Sequence, residues 1–501
     1  MKHHISFTGN CSAPAPIYSL IALVLFMGLI DCSCQAPAMD GTEKYFIGIE
    51  LNGVLCGYSE VYVTPPENAG NPYLGIYQKT YISFRALGQD ISQRQVFTYR
   101  IDPEDGNFVF HDSRTEQGDQ AVAAAMAVVG DSLHLLVEGQ AVSPIYLPGN
   151  TLLPNTMFFP HLQADFGTEG QDSATYRIFN VRTGKVQDFA YFRAGTERIE
   201  LNGAVYEAVI VKERDPNTGV LTTYWIDRDS GLRLKMETQP GIRMYLTDLS
   251  VMEKLSTGSW DDLIFVQTNT MIGDLRSISS MTVQADLDAF PGPSMEDLCV
   301  PGQTFEGSLA GNSLKGSFNV QHRRYQGEDA LQFGKPQHFT GDMQMYLQPE
   351  ETIQSEDPEI KELALRLIEG SEDFWEAACR LSAWVAENIK GSINGGSALE
   401  ALQRGDGSCG PQSMLLAALC RASGIPARVV WGCVYTPEYG GSFGHHGWTE
   451  VYMGDAGWIP VDATLHETDY LDSGHVRLGV LRTNATVINF REMKILDHAS
   501  R

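Results

Sequence analysis

The stretch GDGSCGPQSMLLAALCRASGIPARVV, residues 405–430, has a helix pattern with a cysteine at its start. Pro411 suits the first turn of a helix, and Gly424 is typical of the residue that ends one. Apolar residues at helical spacing form one face: Met414, Leu415, Ala418, Leu419 and Ala422. Cys409 is therefore predicted at the helix N-terminus, where free N–H groups and the helix dipole favour a thiolate.

A histidine and an aspartate follow on two further elements that are predicted to be strands. The segment GHHGWTEVYM, residues 444–453, alternates from His446 onward, so that His446 and Trp448 share a face. After a GDAG turn, the segment GWIPVDAT carries Asp462. A nucleophile needs a base and a group that orients the base. Cys, His and Asp on three successive elements therefore indicate nucleophilic thiol chemistry.

The loop between these two strands decides whether the histidine and the aspartate can meet. A two-residue turn would place Asp462 opposite Thr449, facing away from His446, because side chains alternate along a strand. A three-residue loop over residues 454–456 puts Asp462 opposite Trp448 instead. His446 is then its diagonal neighbour, within side-chain reach. We therefore expect an odd-length loop or a bulge.

These segments resemble the core of the transglutaminase-like superfamily. Its members carry a cysteine before a helix, an R-A-x-G-I-P-A-R run, an H-x-W-x-E-V strand and a D-x-T strand, and all four are present here. The resemblance covers roughly residues 349–490 and implies a papain-like α+β core with a thiol mechanism. By the same resemblance Cys409 is the nucleophile, His446 the general base and Asp462 the orienter. His445 competes for the role of base, but His446 fits better because it stands two residues before the tryptophan.

Two further assignments complete the expected site. Gln403, six residues before Cys409, is a candidate oxyanion donor, although a glutamine near a helix end needs no such role; the backbone N–H of Cys409 is the safer donor. No EF-hand loop is present, so calcium dependence is not implied. No metal or other cofactor is expected, since the cysteines and histidines of this region lack a metal-ligand spacing: Cys409, Cys420, Cys433, His445 and His446.

Charge and cysteine content exclude several classes of protein. The formal net charge of −26 argues against a nucleic-acid binder, which would need a basic face. The nine cysteines contain no C-x-x-C pair, which is neither a disulfide framework nor a zinc ribbon. A chain of 501 residues is expected to form two or three domains. We expect a soluble protein whose partner is a protein or peptide substrate.

The N-terminus predicts export. The apolar run YSLIALVLFMGLI, residues 18–30, is short for a membrane span and fits the apolar region of a signal peptide. Cys34 follows Ser33 as in a lipoprotein signal, although Asp31 is a poor residue there, and APA at 36–38 offers an ordinary cleavage site. An uncleaved anchor is a third alternative. The prediction is an exported protein of the cell envelope, periplasm or medium, with Cys34 as the lipidation site if it is anchored.

The composition and the periodicity of the sequence change along the rest of the chain. Four regions are predicted: a signal peptide at 1–38, a β-rich domain at 42–255, a second β module or linker at 256–348 and a transglutaminase-like domain at 349–490. In the β-rich domain Asn52-Gly53 predicts a hairpin. The sequence ELNG occurs at 50–53 and again at 200–203. It indicates either two related structural units or the same turn residues occurring twice by chance. Two helices are predicted before the cysteine, one starting at 355–358 and one capped at Ser371 and ended by Gly391.

The expected fold class is therefore α+β: an N-terminal antiparallel β region, followed by helices packed on an antiparallel sheet. The expected function is an exported cysteine enzyme that attacks amide or peptide bonds and forms a thioester. Water would complete hydrolysis, and an amine would complete acyl transfer. One alternative is a catalytically silent envelope protein with a binding or scaffold role. Another is a β-rich lipoprotein that binds lipid or glycan, with ancillary enzyme activity.

Overall fold

The computed structural model describes residues 41–66, 71–117, 120–137, 139–168, 170–181, 184–201, 203–239, 241–335, 339, 341–482 and 486–501. The predicted signal peptide at 1–38, with Cys34, lies outside these residues. Among the residues described, no helix combines the length and the apolar character needed to cross a membrane.

The N-terminal part forms one sheet of 16 strands. Its strands are β1 (Glu43–Leu51), β2 (Val54–Thr64), β3 (Leu74–Ala86), β4 (Gln89–Ile101), β5 (Phe108–Gln117), β6 (Gln120–Val129), β7 (Ser132–Val137), β8 (Gln140–Ala141), β9 (Ile145–Tyr146), β10 (Ser173–Asn180), β11 (Lys185–Leu201), β12 (Ala204–Arg214), β13 (Leu221–Asp227), β14 (Arg233–Thr238), β15 (Ile242–Thr247) and β16 (Gly258–Ser259). The order is β10-β11-β12-β13-β14-β15-β1-β2-β3-β4-β5-β6-β7-β8; β9 pairs with β7, and β16 runs parallel to β3.

The hairpin predicted at Asn52-Gly53 is confirmed. These two residues join β1 to β2, with Leu51 paired to Val54. Their φ angles are 47° and 78°, so both lie in the left-handed region that a two-residue turn between right-twisted strands requires. Asparagine and glycine are the residues that adopt this conformation at least cost.

The remaining strands belong to four smaller sheets. They are β17 (Phe265–Gln267), β18 (Ile278–Phe290), β19 (Gln303–Ala310), β20 (Ser313–Gln321), β21 (Arg323–Arg324), β22 (Lys390–Gly391), β23 (Asp406–Gly407), β24 (Ala427–Thr436), β25 (Ser442–Tyr452), β26 (Trp458–Val461), β27 (Tyr470–Leu471), β28 (His475–Val480) and β29 (Val487–Ser500). One sheet runs β17-β25-β24-β28 with β26 beside β25, and a second runs β19-β20-β18-β29. β21 pairs with β27, and β22 pairs with β23. The segment 256–348 thus gives strands to four sheets.

The described part of the chain contains few helices. They are α1 (Pro160–Phe166), α2 (Asp261–Ile264), α3 (Met295–Leu298), α4 (Asp342–Met345), α5 (Pro358–Leu367), α6 (Phe374–Asn388), α7 (Ala398–Arg404) and α8 (Cys409–Ala422). The predicted cap of α6 is wrong by two residues. Asp373, not Ser371, accepts the backbone N–H of Glu376 at 2.8 Å, and α6 ends at Asn388, before Gly391. Aspartate caps a helix as well as serine does, so sequence preference alone does not separate the two positions.

The predicted α+β fold class is wrong. The described residues are strand-dominated, with 52% in strands and 18% helical. The reason is the sheet of 16 N-terminal strands, in which β11 alone spans 17 residues. The prediction counted the helical pattern after residue 349 equally with the N-terminal region, which is much longer and alternates apolar and polar residues as strands do.

α8 lies at the centre of the C-terminal core. α5, α6 and α7 pack on it from one side, and β24 and β25 from the other. Residues 411–421 are all buried, including Leu416 and Ala417, which lie outside the predicted apolar face. A helix enclosed between layers is apolar all round. Each fully buried leucine contributes roughly 1.5–3 kcal/mol, so this packing holds the first turn of α8 in place.

Candidate active site

Cys409 is the first residue of α8, as predicted. Ser408 caps the helix without a side-chain hydrogen bond, so the N–H groups of the first turn stay open to a ligand. The thiol is half-buried and faces a cleft of about 1100 Å³. A nucleophile at this position is both reachable and next to the positive end of the helix dipole.

Hydrogen bonds join the first turn of α8 to β25. The Ser413 hydroxyl lies 2.8 Å from the carbonyl of Cys409 and 3.0 Å from that of Gly447. In return, the Thr449 hydroxyl donates to the Ser413 carbonyl at 3.0 Å. The strand that carries the predicted base is therefore held in register with the turn that carries the thiol.

The loop between β25 and β26 has the three residues that the register required, Gly454–Ala456. Across it, the N–H of Met453 donates to the carbonyl of Gly457 at 2.9 Å. His446 Nε2 and Asp462 Oδ2 lie 2.6 Å apart, and both side chains are buried. The expectation that an odd-length loop brings this pair together is confirmed.

Cys409 and His446 are in contact, and the neighbouring charges shift the pKa values of both. Burial works to raise the pKa of the Cys409 thiol, but the charge and hydrogen bond of His446, with the backbone N–H of Gly447, outweigh it and lower that pKa. Burial works to lower the pKa of His446, but Asp462 and Cys409 raise it to about 10. Since Nε2 of His446 faces Asp462, Nδ1 is left for the thiol. The favoured state is a thiolate–imidazolium pair.

The neighbouring histidine does not share this environment. His445 points to the other side of β25, where its Nε2 lies 2.7 Å from the Thr486 hydroxyl. Burial, together with the charge of His446, lowers the pKa of His445 to about 4, so it is neutral at physiological pH. The structure therefore brings His446, and not His445, to Cys409.

Asp462 has a second imidazole on its other side. His475 Nε2 lies 3.2 Å from Asp462 Oδ2, and His475 Nδ1 lies 2.9 Å from Asp472 Oδ1. The other oxygen of Asp462 accepts the backbone N–H groups of Thr464 at 2.8 Å and Leu465 at 3.3 Å. The carboxylate that orients His446 is thus itself held from three directions.

The electrostatics of this buried network agree with its geometry. Burial works to raise the pKa of Asp462, but His446 and His475 hold it well below its usual range. Burial works against charge on His475, but Asp472 and Asp462 raise its pKa well above the ordinary value. Burial, partly opposed by His475, raises the pKa of Glu467 to about 9, so Glu467 is protonated beside Asp472. The charges therefore alternate in sign from Cys409 to Asp472.

Among the residues that the structure describes, two groups of side chains are close enough to share a metal ion. They are His446, Asp462 and His475, and Glu467, Asp472 and His475. Their atoms are already engaged: both nitrogens of His475 contact carboxylates, and Glu467 accepts the N–H of Asp472 at 2.8 Å. The donors thus have hydrogen-bond partners without an ion, and an ion at the first group would compete with the His446–Asp462 contact.

The structure does not bring Gln403 to the site. It lies exposed on α7, a separate helix, where its amide donates to Glu359 at 3.2 Å. The assignment of Gln403 as an oxyanion donor therefore fails on geometry, because six residues of separation span a helix end and a turn. The other C-terminal cysteines differ from Cys409: burial raises the pKa of Cys379 to about 12 and holds the pKa values of Cys420 and Cys433 far above normal.

Sequence reasoning missed His475, Asp472 and Glu467. His475 opens β28, which pairs with β24 on the side away from β25. The available signal was a histidine after the turn residues DSG, at the start of an apolar strand, three residues from an aspartate. That spacing indicates a local Asp–His contact, but it does not reveal Asp462 as the second partner.

Residues 361–463 match the model of the transglutaminase-like superfamily, so the resemblance is confirmed for this part of the chain. A solved candidate cysteine protease from Cytophaga hutchinsonii is 17% identical over 48% of this chain and 92% of that chain, with a TM-score of 0.32. A candidate protease from Parabacteroides distasonis is 11% identical over 75% of this chain and 68% of that chain, with a TM-score of 0.19. No curated protein sequence matches. The C-terminal part of the chain carries a transglutaminase-like domain.

Proposed function

We propose that this protein is a cysteine enzyme that cleaves amide bonds of protein or peptide substrates through a thioester. One observation carries the proposal: Cys409, His446 and Asp462 form a continuous line of contacts at the start of α8, open to a large cleft. The transglutaminase-like domain supports the same class of chemistry. A structural cysteine would gain nothing from an imidazolium partner, whereas a nucleophile is activated by one.

In the first half-reaction the Cys409 thiolate attacks the carbonyl carbon and forms a C–S bond. The negative oxygen of the tetrahedral intermediate takes the backbone N–H groups of Cys409 and Gly410, since Pro411 has none to offer. His446 gives its Nδ1 proton to the amide nitrogen as the C–N bond breaks. The amine leaves, and the acyl group remains on sulfur as a thioester.

In the second half-reaction His446 is neutral and acts as a base. It takes a proton from water or from an amine, which attacks the thioester carbon. A C–O or C–N bond forms, the C–S bond breaks, and the thiolate–imidazolium pair is restored. Asp462 keeps Nδ1 of His446 directed at the sulfur in both halves, and His475 holds Asp462 in position.

Peptide mass spectrometry tests the proposal. A proteome-derived peptide library is incubated with the wild-type chain, or with Cys409→Ala, in the presence of a biotinylated alkylamine. New peptide termini indicate hydrolysis, biotin adducts indicate acyl transfer, and both should be absent with Cys409→Ala. Products that persist in the variant would contradict the thiol mechanism. A wild-type chain that gives no products and is not alkylated at Cys409 would favour the silent binding role.

We also propose that the protein is exported, on the basis of the apolar run at 18–30 and the alternative cleavage sites after it. N-terminal sequencing of protein purified from its native host tests this. The mature chain should begin within about residues 34–39, following removal of the predicted leader. Acylation of Cys34 would select the lipid-anchored alternative, and an intact N-terminus would exclude cleavage.

A further inference from the structure

The cleft in front of Cys409 is built from two distant parts of the chain. One wall comes from the C-terminal part of the chain: the first turn of α8 with β24 and β25, including apolar side chains such as Val430 and Trp431. The opposite wall, here called the N-terminal wall, consists of residues 86–87 and 89–92 of the β3–β4 hairpin, with Trp260 and residues 263–265 around α2. Neither segment lies within the transglutaminase-like match at 361–463. The cleft is therefore a feature of the whole chain and not of the catalytic domain alone.

The N-terminal wall is anchored at both of its segments. Asp261 accepts the backbone N–H groups of Leu87 at 2.6 Å and Gly88 at 3.1 Å, which fixes the hairpin turn to α2. The N–H of Trp260 donates to the carbonyl of Arg85 at 2.7 Å. These contacts make the hairpin and α2 one unit.

The same unit is joined to the catalytic sheet. β17 extends that sheet by pairing with β25, with Phe265 opposite Gly444. The Phe265 ring stacks on Tyr439 with the ring centres 4.5 Å apart. Ile393, between α6 and α7, packs against the buried cluster that contains Trp260 and Leu263. The N-terminal wall is thus held at a fixed place relative to Cys409.

The chemistry of this wall is apolar. Most of its lining side chains are large hydrocarbons and aromatics, namely Leu87, Ile91, Trp260, Leu263, Ile264 and Phe265; its polar members are Gln89, Asp90 and Ser92. Among the described residues that line the cleft, Asp90 is the one carboxylate, and it is exposed and paired with Arg85 at 2.9 Å; no lysine or arginine lines it. A charged side chain bound here would lose its hydration without gaining a counter-charge.

We propose that the N-terminal wall is the specificity surface of the enzyme, and that it selects substrates whose residues beside the attacked carbonyl are bulky, uncharged and apolar. The inference rests on the proposed function of Cys409. Apolar groups gain by leaving water against such a wall, and the gain is lost when a polar group is placed on either side. The large N-terminal sheet is then part of the active site, because it supplies the surface that chooses the substrate.

Irreversible labelling of the full chain tests this inference. The probes are acetylated tripeptide chloromethyl ketones built from leucine, serine, glutamate or lysine, and iodoacetamide serves as a reagent with no side chain. The second-order rate of Cys409 labelling is followed by intact mass. The leucine probe should react faster than the other three by about tenfold or more. The serine probe separates apolar preference from the repulsion or attraction that a net charge of −26 exerts on charged probes.

Two wall variants locate the preference. Leu87→Asn keeps a residue that tolerates the observed φ of 50°, and Ile264→Asn alters the second segment. Each should lower the rate with the leucine probe by about tenfold and leave the iodoacetamide rate unchanged. Met271→Asn is the matched control, because Met271 is 66% exposed and does not line the cleft. Thermal unfolding of each variant confirms that it is folded.

The outcomes separate the two proposals. A leucine preference that both wall variants reduce supports the inference. Equal rates for the leucine and serine probes, or a preference that survives in folded wall variants, would overturn it while leaving the thiol chemistry intact. If neither the peptide probes nor iodoacetamide labels Cys409, the proposed function is wrong, and the inference is wrong with it.

Discussion

One wall of the cleft carries a line of charged, hydrogen-bonded side chains, and the other is mainly apolar. On the first, the Cys409 thiolate, the His446 imidazolium and the Asp462 carboxylate alternate in sign. On the second, side chains such as Trp260 and Ile264 give a mainly hydrocarbon and aromatic surface, and its one carboxylate, Asp90, is paired with Arg85. Under the two proposals, the first wall moves protons and stabilises developing charge, and the second selects substrates by shape and hydrophobicity. Reaction and recognition are thus assigned to different parts of the chain.

The first and largest test removes the nucleophile. Cys409→Ala should lower activity by about 10⁴-fold or more, since the remaining groups have no atom to acylate. The thermal midpoint should change little, because the thiol is half-buried at a helix start. Activity is measured with the peptide library, and unfolding by circular dichroism.

Cys420→Ala on the same helix is the matched control. Cys420 is fully buried, so this change should cost on the order of 1 kcal/mol of unfolding free energy with activity retained. The reverse pattern, with activity lost only in the Cys420 variant, would mean that α8 supplies packing and not chemistry.

The second test removes the negative charge of Asp462 and keeps the Cys409 thiol. Asp462→Asn removes a charge that raises the pKa of His446 to about 10 and that also works to raise the pKa of Cys409, so both pKa values should fall. The ion pair exists above the Cys409 pKa and below the His446 pKa. Both limbs of the pH–rate profile should therefore move to lower pH, with a loss of about 10²–10⁴-fold at the maximum because His446 is less well oriented. An unchanged profile would exclude Asp462 as the orienter.

The third test concerns the residue behind Asp462. His475→Gln keeps an N–H donor where Nε2 faces Asp462, whereas His475→Asn keeps one where Nδ1 faces Asp472. We expect His475→Asn to lower kcat by about tenfold to a hundredfold, with KM little changed, because Asp462 is then less well oriented. His475→Gln should recover part of this loss. Equal kcat values for the two variants would reduce His475 to a packing role.

The fourth and smallest test compares thiols in the unmodified chain. Cys299 is exposed but has no imidazole partner among its described contacts, whereas Cys409 is less exposed and paired with His446. Iodoacetamide at neutral pH should label Cys409 faster by about tenfold, because the thiolate is the reactive form. Equal labelling of the two cysteines in the native protein would contradict an activated thiol.

The arrangement of Cys409, His446 and Asp462 was largely predictable from the sequence, because it depends on short stretches of neighbouring residues. The helix start at Cys409 followed from Pro411 and Gly424, and the meeting of His446 with Asp462 followed from strand alternation and loop length. Each of these inferences needs only a few neighbouring residues. Whether the three residues perform catalysis stays a prediction until it is measured.

The apolar wall and the support of Asp462 were not predictable, because both depend on which strands become neighbours. His475 reaches Asp462 only because β28 pairs with β24, and the N-terminal wall reaches the cleft only because β17 pairs with β25. Nothing in the alternation of these short strands specifies their partners. The prediction of the fold class was wrong for a related reason. The local sequence pattern indicates whether each element is a helix or a strand, but it does not indicate how many strands will join one sheet.

The long-range pairing of β18 has a consequence for synthesis. Phe290 in β18 pairs with Val487 in β29, roughly 200 residues further along the chain. At a translation rate of about 5–20 residues per second, this interval lasts on the order of 10–40 s. Throughout it one edge of β18 is without its partner, a state prone to pairing with other chains. The cleft also lacks Val487 and Ile488 until β29 emerges from the ribosome. The nascent chain is thus most open to mispairing in this interval, before the substrate site in front of Cys409 is assembled.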